Sequence, residues 1–227
     1  MLAITGLFSC KQPNKSTPKI GGSEIPGSIK NTQHKQIVDD KEIYISYTYN
    51  DSKGASLIIQ NSNPRGGMKY TASTGEVYMY VVLLTRIINE TGDPFEMKIA
   101  FPEDSYEVPS LPGKYFKILI PPDTMTLDKE PLFNFGLAHL ESFLDKNIDK
   151  PSSLKRTINA NESGGFYVVI LCPVEGAHGS FRTGLSLKGQ DLFYRITQYT
   201  SNAAASLIKD KEIHCGTFNL KSLVLQQ

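Results

Sequence analysis

The stretch from Tyr78 to Phe101, YMYVVLLTRIINETGDPFEMKIAF, constrains this chain more than any other. β-Branched and aromatic residues crowd both sides of a cluster of turn formers, Asn89 to Pro94, so the stretch reads as two β-strands joined as a hairpin. The first arm, Tyr78 to Ile88, is apolar on both faces over much of its length, which marks a central strand covered above and below. The second arm alternates. Phe95, Met97, Ile99 and Phe101 share one face while Glu96 and Lys98 share the other, because successive strand side chains point to opposite sides of a sheet. The hairpin is therefore expected at the centre of the fold.

The remaining strand signals surround it. Ile43, Ile45, Tyr47 and Tyr49 alternate with polar positions, and Asn50 to Gly54 turns that strand into Ala55 to Gln60. A short strand is expected at Met68 to Thr71, and others at Tyr115 to Ile120, Phe166 to Cys172, Phe181 to Leu187, Leu192 to Tyr199 and Ile213 to Leu220, with Lys188-Gly189-Gln190 as a tight hairpin turn. One segment breaks the pattern: from residue 132 to 148, Leu132, Phe133, Leu137, Leu140, Phe143, Leu144 and Ile148 recur at spacings of three and four, one face of an amphipathic helix. The fold class is mainly β, an antiparallel immunoglobulin-like β-sandwich carrying one inserted helix.

With 227 residues, 40% of them hydrophobic, the chain can bury a sizeable core. A formal net charge of +1, with no basic run longer than a pair, lacks the electrostatic footprint of a nucleic-acid binder. The most apolar window, Val77 to Ile88, is interrupted by Thr85 and Arg86 and falls well short of the roughly 20 residues of a membrane-spanning helix.

Attachment to a membrane by another route is suggested at the N-terminus. Residues 1–10 are apolar and end in Leu7-Phe8-Ser9-Cys10, which resembles the lipobox of bacterial lipoproteins. The resemblance implies cleavage before Cys10 and lipidation of that residue. The apolar stretch is short and has no basic segment before it, so the signal is expected to begin upstream of Met1. The competing reading is a buried N-terminal strand with an incidental cysteine. Residues 11–36, rich in Pro, Gly, Ser, Thr and Asn, read as a flexible tether, and residues 37–227 as a single β-sandwich domain. Such a chain belongs in the bacterial cell envelope, lipid-anchored at the outer membrane and facing the periplasm or the cell surface.

Groups that could carry chemistry are scattered. Cys172 and Cys215 remain as an even pair in an oxidising compartment, and either bridge or pack as small buried hydrophobes. His214 adjoins Cys215, but neighbours on a strand face opposite ways and do not form a dyad. The four histidines, His34, His139, His178 and His214, show no metal-ligand spacing, and no cofactor is expected. Gly164-Gly165 and Arg65-Gly66-Gly67 read as turns before they read as anion cradles. Asp39-Asp40 and Glu103-Asp104 read as solvated acids, and the sequons at Asn89 and Asn161 as turns. Asp123-Thr124-Met125 resembles the O-glycan signal of exported proteins in some Gram-negative bacteria, which implies modification at Thr124. Tyr44, Tyr78, Tyr80, Tyr106 and Tyr115 lie in or beside strands, where an outward tyrosine offers a platform to a carbohydrate or a protein and an inward one fills the core.

No constellation specifies a reaction. The favoured expectation is a tethered binding or structural module that contacts a protein or a glycan; the alternative is an envelope hydrolase with a site assembled from distant loops. A palmitate analogue fed to cells should label the full-length precursor and not its Cys10→Ala variant. Equal labelling of the two would contradict the lipoprotein reading.

Overall fold

The computed structural model describes residues 42–103, 106–108, 111–199 and 208–220. Cys10, the tether, His34 and Asp39-Asp40 lie outside them. Thirteen strands and one α-helix follow in chain order: β1 (Ile43–Asn50), β2 (Ser56–Ser62), β3 (Arg65–Thr71), β4 (Val77–Asn89), β5 (Phe95–Phe101), β6 (Tyr106–Glu107), β7 (Tyr115–Leu119), β8 (Thr124–Met125), α1 (Leu140–Asn147), β9 (Ser152–Ile158), β10 (Ser163–Pro173), β11 (Ser180–Lys188), β12 (Asp191–Tyr199) and β13 (Ile208–Asn219). The chain is mainly β, in two antiparallel sheets. One runs β1-β2-β4-β10-β7-β6, with β3 added beside β4 and β8 beside β10; the other runs β11-β12-β13-β5-β9.

β4 and β10 form the spine of the first sheet, paired from Tyr78 opposite Pro173 to Ile88 opposite Ser163. Both are apolar on each face, and the structure covers each face. Leu83 and Ile87 of β4, with Phe166, Val168 and Ile170 of β10, join Phe95, Met97, Leu185, Tyr194 and Phe218 of the second sheet in one apolar cluster. Val82, Leu84, Tyr167 and Val169 point the other way, into a second cluster closed by Phe135 and by Leu140, Leu144 and Ile148 of the helix segment.

The expected hairpin is a corner. β4 and β5 do not pair: β5 lies in the second sheet between β13 and β9. The reason is occupancy of edges. One edge of β4 is taken by β10 and the other by β2 and β3, so no hydrogen-bonding edge remains for β5. The turn from Asn89 to Pro94 instead carries the chain from one sheet to the other. Gly216 on β13 admits β5 closely, since a Cβ there would fall 1.9 Å from the Lys98 carbonyl oxygen.

The helix is also shorter than the spacing suggests. Only Leu140 to Asn147 is α-helical, and Phe133–Gly136 is a 3₁₀ turn. Asn134, Phe135 and His139 have φ of 49°, 54° and 53°, a left-handed run that breaks the 3.6-residue period before it can build a face. Leu132 and Phe133 are consequently 52% and 69% exposed, whereas the Phe135 ring is fully buried. β9 carries no strand signal, because Ser-Ser-Leu-Lys-Arg-Thr-Ile is half polar, and β6 and β8 are too short to leave a pattern. Both tight turns were legible: Asn50 pairs Ser56 across the first, and Lys188 pairs Asp191 across the second.

Leu84 is 1% exposed and lies between two covered strands, while Leu140 is 7% exposed on the helix that caps them. Leu84→Ala should cost about 2 to 5 kcal/mol and Leu140→Ala about 2 kcal/mol, the helix relaxing more readily into the space. Denaturant melts with equal m-values would show the reverse order if the helix were the true core.

Candidate functional site

The edge strands β1 and β11 lie side by side where the two sheets meet. An edge strand exposes unpaired N–H and C=O groups, and here side chains of the other sheet satisfy them. The Leu187 amide donates to the Tyr49 hydroxyl at 2.7 Å. Asn61 accepts from the Leu185 amide at 2.8 Å and donates to the Leu185 carbonyl at 3.1 Å. Gly184 adjoins the Leu185 contact on the side away from Leu187, and the ideal position for a Cβ there is 3.4 Å from the Ile45 side chain. The seam is thereby closed at Leu185 and Leu187.

Beyond Gly184 the seam opens into a groove of about 200 Å³ lined by Tyr44, Tyr47, Arg182, Arg195, Tyr199 and Asp210 among others. Alternation along β1 turns Tyr44 outward, where it is 37% exposed. Its hydroxyl lies 3.4 Å from that of Tyr199, and this hydrogen bond, with partial burial, raises the Tyr44 phenol above its ordinary value, so it is neutral at physiological pH. The Arg182 guanidinium stands 5.7 Å from the Tyr44 ring centroid and donates to the Phe181 carbonyl at 2.9 Å. Arg195 is more fully committed, to Glu212 at 3.1 Å and Asp210 at 3.7 Å, and Asp210 also accepts from Thr197 at 3.1 Å. The groove thus presents aromatic faces beside fixed donors and acceptors, which is the chemistry of polar recognition.

Elsewhere the residues singled out from sequence are dispersed. Cys172 and Cys215 are free and buried, one on each sheet, with no bridge between them. Burial pushes each thiol up to about 12, so each packs as a small hydrophobe and holds almost no thiolate. His214 is exposed on the opposite face of β13 from Cys215, 3.4 Å from Asp191 and edge-on to Phe193. His139 and His178 are exposed too, and neither lines the groove. Among the described residues no group of three or more His, Cys, Asp or Glu could hold a metal ion.

Gly66 and Gly67 form a bulge in β3 at φ of 107° and 76°, where the register against β4 shifts. Gly164 and Gly165 lie within β10 and not in a turn. Thr124 is exposed on β8, and its carbonyl accepts from Lys129 at 3.0 Å. Glu103 pairs with Lys117 at 3.0 Å. Asn89 is fully buried, and Tyr78, Tyr80 and Tyr106 are core residues, leaving Tyr44 as the clearest outward platform of the five. Arg182 and Tyr199 had no signal of their own, since they meet Tyr44 only through sheet packing across more than 130 residues of chain. Compared with protein families, with curated proteins and with solved structures, the chain matches none of them.

Proposed function

We propose that this chain is a membrane-tethered lipoprotein of the bacterial envelope whose two sheets form a β-sandwich acting as a binding module, with a glycan as the ligand of the groove beside Tyr44. The refinement to an immunoglobulin-like domain finds less support. The chain has no tryptophan and its two described cysteines are free, whereas a buried tryptophan against an inter-sheet disulfide is the hallmark of antibody domains. The tether follows from the lipobox-like Leu7-Phe8-Ser9-Cys10 and from the residues behind it.

The observation that carries the ligand class is the pairing of Tyr44 and Tyr199 with Arg182 along one open seam. A sugar ring has an apolar C–H face that lies against tyrosine and hydroxyls that bond to guanidinium, carboxylate and phenol, and the groove supplies both kinds of partner. The Tyr44 phenol is neutral, so it donates a hydrogen bond and does not repel a ligand rich in oxygen. Its size, about 200 Å³, suits one ring or chain end of a larger polymer and not a deeply enclosed small molecule.

Retention of the full chain on immobilised envelope polysaccharides tests the reading. Tyr44→Ala and Arg182→Ala should each weaken retention about tenfold, equivalent to ~1.4 kcal/mol, with little change in melting temperature. Unchanged retention in both variants would contradict a glycan site at this groove. Release of new reducing ends by the wild type would favour the hydrolase instead.

A further inference from the structure

A second cleft lies away from the groove, where β8 meets β10 and β9 approaches from the other sheet. It encloses about 270 Å³ and is lined by Arg86, Thr124, Thr126, Arg156, Ser163 and the pair Gly164-Gly165, with Met125 and Leu127. Two guanidinium groups from different sheets converge on it, Arg86 from β4 and Arg156 from β9. Arg86 is 8% exposed, and one of its nitrogens donates to the Ser163 hydroxyl at 3.3 Å. Arg156 is half-buried and donates to the Gly165 carbonyl at 2.6 Å.

The balance of charge is uneven. Glu130 acts electrostatically on Arg86, and burial still lowers the pKa of that guanidinium. Arg156 is lowered by burial alone. Among the described residues it forms no ion pair, so a partly desolvated positive charge is met there by a carbonyl dipole only. A desolvated charge is costly unless it is paired, and a guanidinium matches the two oxygens of a carboxylate or phosphate in a fork. The Thr124, Thr126 and Ser163 side chains supply hydroxyls at the same cleft. Gly164 leaves the space beside Arg156 open, since a Cβ there would come 3.7 Å from its Cδ.

We propose that this cleft is an oxyanion-binding site, in which Arg156, assisted by Arg86, grips a carboxylate or phosphate group of a small solute. It is separate from the Tyr44 groove and does not depend on the glycan reading. The anion supplies the counter-charge that Arg156 lacks, the hydroxyls complete its hydrogen bonding, and Gly164 lets it approach the β10 backbone beside Arg156.

Calorimetric titration of the full chain with sodium phosphate and, separately, with sodium acetate at constant ionic strength distinguishes the two oxyanions. At least one of them should saturate a single site in the wild type and bind at least tenfold more weakly to Arg156→Gln, with Arg156→Lys intermediate. In the wild type the Nε–Hε nuclear magnetic resonance of Arg156 should shift along the same saturation curve, a readout that needs no folded variant. Absence of saturable heat and of any shift with both anions would overturn the proposal. So would equal affinity in a folded Arg156→Gln protein, or an equal response to sodium chloride.

Discussion

The architecture depends on one buried side-chain amide. Asn89 ends β4 with no solvent exposure, and its Nδ2 donates to the carbonyls of Asp93 at 2.8 Å, Asn159 at 2.9 Å and Ile158 at 3.3 Å. Its Oδ1 accepts from the amide of Thr91 at 2.9 Å and from the Thr91 hydroxyl at 2.7 Å. Its backbone amide donates to Glu162 at 2.8 Å. One residue thereby ties the last position of the first sheet's central strand to the approach of β5, the end of β9 and the turn into β10. Two amide protons serve three carbonyls, so the longest contact is the weakest. Backbone polar groups need partners, and the Asp93 and Asn159 carbonyls lie just past the ends of β5 and β9, where the ladders stop and the side chain takes over.

That corner explains how a sequence that reads as a hairpin builds two layers. The apolar run of β4 is legible as a strand covered on both faces, and Leu83 and Leu84 do point into different clusters. The alternation of Phe95, Met97, Ile99 and Phe101 is equally legible, and all four are buried. Which edge β5 joins cannot be read locally, because the answer depends on β10, some seventy residues further on, occupying the edge of β4. The helix is shorter than its apolar spacing suggests for a related reason. Leu132 and Phe133 fit a spacing rule, but left-handed Asn134 and Phe135 redirect the chain. A non-glycine residue held in that region costs about 1 to 3 kcal/mol. The burial of the Phe135 ring, the Arg65 guanidinium 4.1 Å from its centroid and the Tyr167 hydroxyl bond to its carbonyl at 2.8 Å oppose that cost.

The sites show the same division. Tyr44 was visible as an outward position on an alternating strand, whereas its partners Tyr199 and Arg182 became neighbours only when β1 and β11 met. Gly164-Gly165 carries a turn signal in sequence, yet it lies within a strand, and Gly165 is accounted for by packing: a Cβ there would sit 3.3 Å from the Met125 sulfur. Arg86 and Arg156 looked like ordinary strand-borne charges, and their convergence belongs to the tertiary fold. Local alternation reports which face a residue takes, and the packing of sheets decides which faces meet.

The joining of the two sheets rests most directly on Asn89. Asn89→Asp preserves the shape of the buried side chain while replacing the donating amide with an oxygen aimed at three carbonyls. Denaturant melts should show a loss of roughly 3 to 5 kcal/mol, because three carbonyls lose their donor at once and an anion is buried among acceptors. A loss below ~0.5 kcal/mol, the behaviour of an ordinary surface substitution, would contradict the claim that this amide joins the two sheets.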